Sequence, residues 1–200
     1  MQTYVVTNQD LGRLSTIFNK CISTKTVDSL SMILGEQIQH KIGKVRLLDF
    51  SELDELTPAF SDTENMSAVY LKQTGDVNIG VLYYMPEKDG KRFAAKLLGK
   101  KRLGSFTKLG KSSLSETGNI LSGSFFNALN NEQDCKTTSE IPGFAVDTFR
   151  SLLEFPAMDI GIESQSLIAY SAEFHSESDL KLRMLIILDP ENAKKLLEKH

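Results

Sequence analysis

Apolar and polar positions alternate along the chain with two periods, one helical and one strand-like, and together they predict its elements. A helical period runs from about Gln9 to Leu34, where Gly35 supplies a stop. Val45–Phe50 reads as a strand and leads into an acidic loop containing Pro58. Ser67–Gln73 and Val77–Met85 read as two strands, joined by the short hairpin signal Thr74-Gly75-Asp76. A helix around Lys91–Leu98 ends at Gly99, as a glycine cap would end it. A Gly- and Lys-rich loop follows, then a helix from about Ser112 to Asn131 and a polar loop reaching Pro142. The last third predicts a helix near Val146–Leu153, strands at Leu167–Phe174 and Leu180–Leu188, and a terminal helix from Pro190.

The order of elements in the last part echoes the first. Ala94-Ala95-Lys96-Leu97-Leu98 resembles Ala193-Lys194-Lys195-Leu196-Leu197 at an offset of 99, and the same offset lays the opening helix on the helix at 112–131. Leu30 then meets Leu129, Ile22 meets Leu121, Ser23 meets Ser122 and Cys21 meets Ile120. The strands 77–85 and 180–188 match at an offset of about 103. Chance alignment of two amphipathic helices is the alternative, but agreement of order and offset favours duplication. The fold class expected is α+β: one domain over residues 1–200, made of two pseudo-repeats (about 9–105 and 106–200). Pseudo-two-fold symmetry, two long related helices and a mostly antiparallel sheet flanked by helices follow.

Composition narrows the function by exclusion. With 40% hydrophobic and 24% charged residues, the 200-residue chain is globular rather than disordered. A formal charge of −3 argues against a chain-wide grip on nucleic acid. No apolar run approaches the roughly 20 residues that cross a bilayer, and Met1-Gln2-Thr3-Tyr4 does not open like a secretory signal. Cys21 and Cys135 are the only cysteines, so a cytoplasmic protein with reduced thiols is expected. His40, His175 and His200 stand too far apart for metal-ligand spacing, so no metal site is expected.

Charge is distributed unevenly. Lys91, Arg92, Lys96, Lys100, Lys101, Arg102, Lys108 and Lys111 form a run without an acid, leaving 15 basic against 26 acidic residues elsewhere. Glu52, Asp54, Glu55, Asp62 and Glu64 gather part of the excess. A solvated helix face explains the basic run as well as local steering of an acidic partner does.

Familiar chemistry is missing. Gly104 to Ser112 looks like a phosphate loop, but it has five residues between its glycines where the loop needs four, and no strand feeds it. The helix after it is more informative. At about 100° per residue, Ser112, Glu116, Asn119 and Gly123 fall within roughly 60° of one another, opposite Leu114, Leu121, Phe125, Ala128 and Leu129. One narrow strip thus carries a carboxylate and a carboxamide one turn apart. Gly118, Ser122, Gly123 and Ser124 lower helix propensity and would let a partner backbone approach. The bland alternative is good: Ser113-Leu-Ser-Glu116 fits a capping box, in which Glu116 merely closes the helix start.

The spacing Ser112-x3-Glu116-x2-Asn119-x22-Pro142 resembles the signature of the CheC/CheX/FliY family of chemotaxis phosphatases. Glu116-Thr-Gly-Asn-Ile-Leu-Ser-Gly-Ser-Phe-Phe-Asn-Ala-Leu129 also looks like that family's active helix. The duplicated plan is similar to CheC rather than the shorter CheX, and FliY would carry a further domain for which there is no room. An offset of 99 places the first copy of the motif at Arg13, Ile17, Lys20 and Gly43, none of which fits the signature. One active face is expected, not two.

The resemblance implies a substrate: the aspartyl phosphate of a CheY-like response regulator. It implies that the regulator supplies the Mg²⁺ and a lysine, so this chain needs no cofactor of its own. Asn119 would position the attacking water, Glu116 would meet the lysine, Ser112 would complete the substrate-binding signature, and Pro142 would be structural. Lys100, Lys101, Arg102 and Lys108 are candidates for steering the acidic regulator. CheD is a further expected partner. The alternatives are a non-catalytic adaptor for CheD or phospho-CheY, or a flagellar or archaellar switch component.

Overall fold

The computed structural model of the protein describes residues 4–56, 64–161 and 166–198. Pro58, Asp62 and His200 lie outside them. The opening helical run comprises α1 (Asn8–Cys21), a single π turn (Ile22–Thr26) and α2 (Val27–Leu34). The strands β1 (Ile38–Ile42) and β2 (Arg46–Asp49), a 3₁₀ segment (Phe50–Leu56), the long strands β3 (Met66–Gly75) and β4 (Ile79–Pro86) and the helix α3 (Glu87–Leu97) complete the first part. The second part contains α4 (Lys108–Gln133), β5 (Thr137–Ser139), β6 (Gly143–Asp147), α5 (Phe149–Gly161), β7 (Ser166–Ser176), β8 (Lys181–Leu188) and α6 (Pro190–Leu197).

All strands join one antiparallel sheet of order β1-β7-β8-β4-β3-β5, with β2 also on β7 and β6 also on β3. The centre is the β4–β8 pair, where Leu82 faces Leu185. The short strands cross over: β1 and β2 lie on β7, whereas β5 and β6 lie on β3. The α+β architecture and pseudo-two-fold sheet are as expected from the hydrophobic pattern.

Strand alternation splits the core in two. Val69, Leu71, Val81, Tyr83, Ile168, Tyr170, Met184 and Ile186 face α1, α2, α3, α4 and α6, where they meet Leu14, Phe18, Leu30, Phe93, Leu121, Phe125 and Leu196. Met66, Ala68, Leu82, Tyr84, Ala169, Leu185 and Ile187 face the other way, onto Phe149, Leu152, Leu153, Ala157 and Ile160 of α5. Each of the large side chains contributes about 1.5–3 kcal/mol by leaving water.

Three sequence expectations need correction. β1, β5 and β6 were not predicted, and the helix expected from Val146 begins at Phe149, because Val146 pairs with Ser67 in the sheet. The helix expected from Ser112 begins four residues earlier. Its cap is Thr107, whose side chain accepts from the Gly110 amide, so Ser113 and Glu116 form no capping box. The third correction concerns register. Thr7 caps α1 as Thr107 caps α4, 100 residues apart, yet the left-handed end residues Gly35 and Asp134 lie 99 apart. The first run is therefore one residue longer, and the π turn absorbs it: Val27 N–H donates to Ile22 O, five residues back. A constant offset of 99 misaligns everything before that turn.

Candidate functional site

Residues 112–123 of α4 place the predicted strip on the surface. The helix is held from beneath: Leu114, Thr117, Gly118, Leu121, Ser122 and Phe125 are buried. Gly118 has a steric reason, since a Cβ there would stand 2.7 Å from Val69 Cγ1 on β3. The glycine lets helix and sheet approach and fixes how far α4 is rolled. That roll turns Ser112 and Glu116 to solvent and leaves Asn119 half-buried. Gly123, one turn on, has nothing within 4 Å of a built Cβ, so the surface beside Asn119 is open.

Three neighbouring hydroxyls are already engaged. Ser113 Oγ donates to Gly110 O at 2.9 Å and Thr117 Oγ1 to Ser113 O at 2.9 Å. Ser124 Oγ lies 2.6 Å from Ser29 Oγ on α2. Glu116 and Asn119 differ from these: neither has a hydrogen-bond or ion-pair partner among the described residues. The fold holds their backbone rigidly and makes no use of their side chains. Exposed apolar residues flank them on the same helix, with Leu109 60% and Ile120 43% accessible. Reasoning from the strip alone missed these two; their spacing of seven and four residues from Glu116 was the available signal.

The basic run divides by use. Lys91 pairs with Glu87, Arg92 with Asp89, and Lys96 with Glu36. Lys91 and Lys111 also cover the rings of Phe106 and Phe144, which meet edge to face. Lys100, Lys101, Arg102 and Lys108 are exposed and stand outside every ion pair among the described residues. Lys100, Lys101 and Arg102 lie in the loop that leads into α4 and Lys108 is its first residue, about 12 Å along the axis from Glu116. Pro142 is half-buried in the link between β5 and β6.

Residues 13–43 of the first part are bound into the fold. Arg13 donates to Leu197 O at the end of α6 (2.9 Å), and Lys20 pairs with Glu132 of α4 (2.6 Å). Ile17 packs against the core, and Gly43 N donates to Ser171 O at 2.8 Å. Asn19 accepts a hydrogen bond from the Tyr170 hydroxyl. Cys21 is buried, which pushes its thiol up to about 12 and disfavours the reactive thiolate. Among the described residues no group of three His, Cys, Asp or Glu side chains could hold a metal. No helix among them is long and apolar enough to cross a membrane.

No family model matches the sequence. The CheY-P phosphatase CheC of Bacillus subtilis (strain 168) is 23% identical over 180 residues, covering 86% of this chain and 84% of that protein. With the signature on the surface of α4, this makes the chain similar to the CheC/CheX/FliY family. Its fold is shared with the crystal structure of Thermotoga maritima FliY at a TM-score of 0.77, 18% identity and 98% coverage of both chains. The FliM middle domain of H. pylori superposes at 0.64 with 12% identity, covering 98% of this chain and 100% of that one. The FliY chain as solved matches this one end to end, so length alone does not separate the two.

Proposed function

We propose that the protein is a chemotaxis phosphatase that hydrolyses the aspartyl phosphate of a CheY-like response regulator. The observation that carries the reading is the Glu116–Asn119 pair: rigidly placed, one turn apart, with Glu116 exposed and Asn119 half-buried, and unused by the fold. A side-chain pair with no structural task, at this spacing, is suited to work on another molecule.

Phosphoryl transfer passes through a loose transition state, so placing the nucleophile supplies much of the catalysis. The Asn119 carboxamide oxygen accepts a hydrogen bond from water and holds it in line with the phosphorus–aspartate bond. As the water oxygen bonds to phosphorus, the bond to the aspartate oxygen breaks. The regulator recovers its carboxylate, and inorganic phosphate leaves with the water's proton passing to phosphate or solvent. Glu116 meets a lysine of the regulator as a charge-assisted contact that sets the docking register. Ser112 extends the contact toward the helix start, and Lys100, Lys101, Arg102 and Lys108 speed encounter with the acidic partner. The regulator brings its own Mg²⁺ in this reading, and Pro142 shapes the loop.

The test is decay of a phosphorylated CheY-type receiver with purified protein, with and without CheD. Wild type shortens the phosphate's lifetime catalytically, and Asn119→Ala, folded by circular dichroism, does not. Equal turnover by Asn119→Ala sinks the mechanism. The FliM-like fold supports a second reading, a switch or adaptor component. That reading predicts stoichiometric binding with an unchanged phosphate lifetime.

A further inference from the structure

The corrected register gives Asn119 a counterpart. Leu14, Cys21 and Ile22 stand 100 residues before Leu114, Leu121 and Ser122, and all six are buried. After the π turn, Leu30 and Leu34 stand 99 before Leu129 and Gln133, again all buried. Contacts to the sheet agree: Phe18 packs on Tyr170 of β7, as Gly118 packs on Val69 of β3. Ahead of the π turn, Ser112, Glu116 and Asn119 therefore correspond to Gly12, Thr16 and Asn19, and not to Arg13, Ile17 and Lys20.

We infer that α1 carries a disabled second copy of the site, in which the carboxamide survives as Asn19 and is locked by the Tyr170 hydroxyl. The assignment of activity rests on the function proposed above; the register does not. Three differences separate the copies. Asn19 Oδ1, the atom that Asn119 leaves free for water, accepts from Tyr170. Val69, in the place of Tyr170, has no hydroxyl to offer. The carboxylate is replaced by Thr16, whose hydroxyl turns back to Gly12 O at 3.1 Å. Gly12 has no side chain where α4 has Ser112. None of these differences is steric: a Cβ on Gly12 meets nothing within 4 Å, and Thr16 is exposed. The extra residue lies beyond the motif. It leaves the buried Thr26 Oγ1, at the end of the π turn, without a hydrogen-bond partner.

Two arms test this on the full chain. In the first, Asn119→Ala silences α4, and Gly12→Ser, Thr16→Glu and Tyr170→Phe are added together. Dephosphorylation of a CheY-type receiver charged with a small phosphodonor is expected to rise roughly tenfold or more over Asn119→Ala alone. A further Asn19→Ala removes the gain. A folded quadruple variant no faster than Asn119→Ala, beside an active wild type, overturns the inference. A wild type without turnover fails the proposed function instead, and the second arm then decides alone. There, deleting Lys25 from the π turn is expected to leave a cooperative transition within about 5 °C of wild type, whereas deleting Asn127 from α4 abolishes it. Equal damage from both deletions overturns the register.

Discussion

The two long helical runs are built alike and spent differently. Each starts at a capping threonine, ends at a left-handed residue and lays one stripe on the same face of the sheet. On α1 the outward side chains are drawn into the fold: Arg13 onto the end of α6, Lys20 onto Glu132, Asn19 onto Tyr170. On α4 the acid and the carboxamide are left free. The difference teaches that a surface residue's neighbours, more than its type, decide whether it is available to another molecule.

The largest break in this comparison is catalytic. Asn119→Ala is expected to lower receiver dephosphorylation by about 100-fold or more, since misplacing the reacting water has that order of cost. Lys20→Ala leaves it unchanged. Phosphate release from the two variants checks both.

Next comes stability at two glycines. Gly118→Ala forces a Cβ against Val69 and is expected to destabilise by about 1–3 kcal/mol. Gly12→Ala has open space and is expected to stabilise by up to about 1 kcal/mol through helix propensity. Denaturant midpoints measure both.

Smaller effects follow from charge. Reversing Lys100, Lys101, Arg102 and Lys108 to Glu lowers receiver association at low salt by about tenfold or more and flattens its salt dependence. Stopped-flow mixing over a salt series reads this out. The Lys20–Glu132 pair is exposed on its lysine side, so a double-mutant cycle should return only about 0.2–1 kcal/mol.

The smallest effect is an absence of reaction. With burial holding the Cys21 thiol up to about 12, it stays protonated through pH 9, and a thiol reagent at pH 8 labels it only on unfolding. Labelling as fast as a free thiol would place Cys21 at the surface.

The amphipathic helices and long buried strands were legible because period and burial coincide there. The strip on α4 was legible for the same reason, with Leu114, Leu121 and Phe125 facing inward and Glu116 outward. The strand β1 was not, since Gln39 and Lys41 are exposed and its pairing with β7 supplies what its side chains do not. Ser113-Leu-Ser-Glu116 imitates a cap because local motifs say nothing about a better cap upstream at Thr107. The π turn was invisible for a deeper reason. It resets helix phase only because both ends are pinned to the sheet, and no stretch of sequence records that constraint. Asn19 was missed as a result.

The crossing of the short strands also governs how the chain reaches its native state. As the chain leaves the ribosome, β1 and β2 emerge with no edge to join, because β7 is still more than a hundred residues from being made. β4 likewise waits roughly a hundred residues for β8. The first half can form helices and the β3–β4 hairpin, but its apolar strand faces stay open until synthesis is nearly done. Such distant pairing makes folding slow and leaves a sticky nascent chain, a natural client for a chaperone.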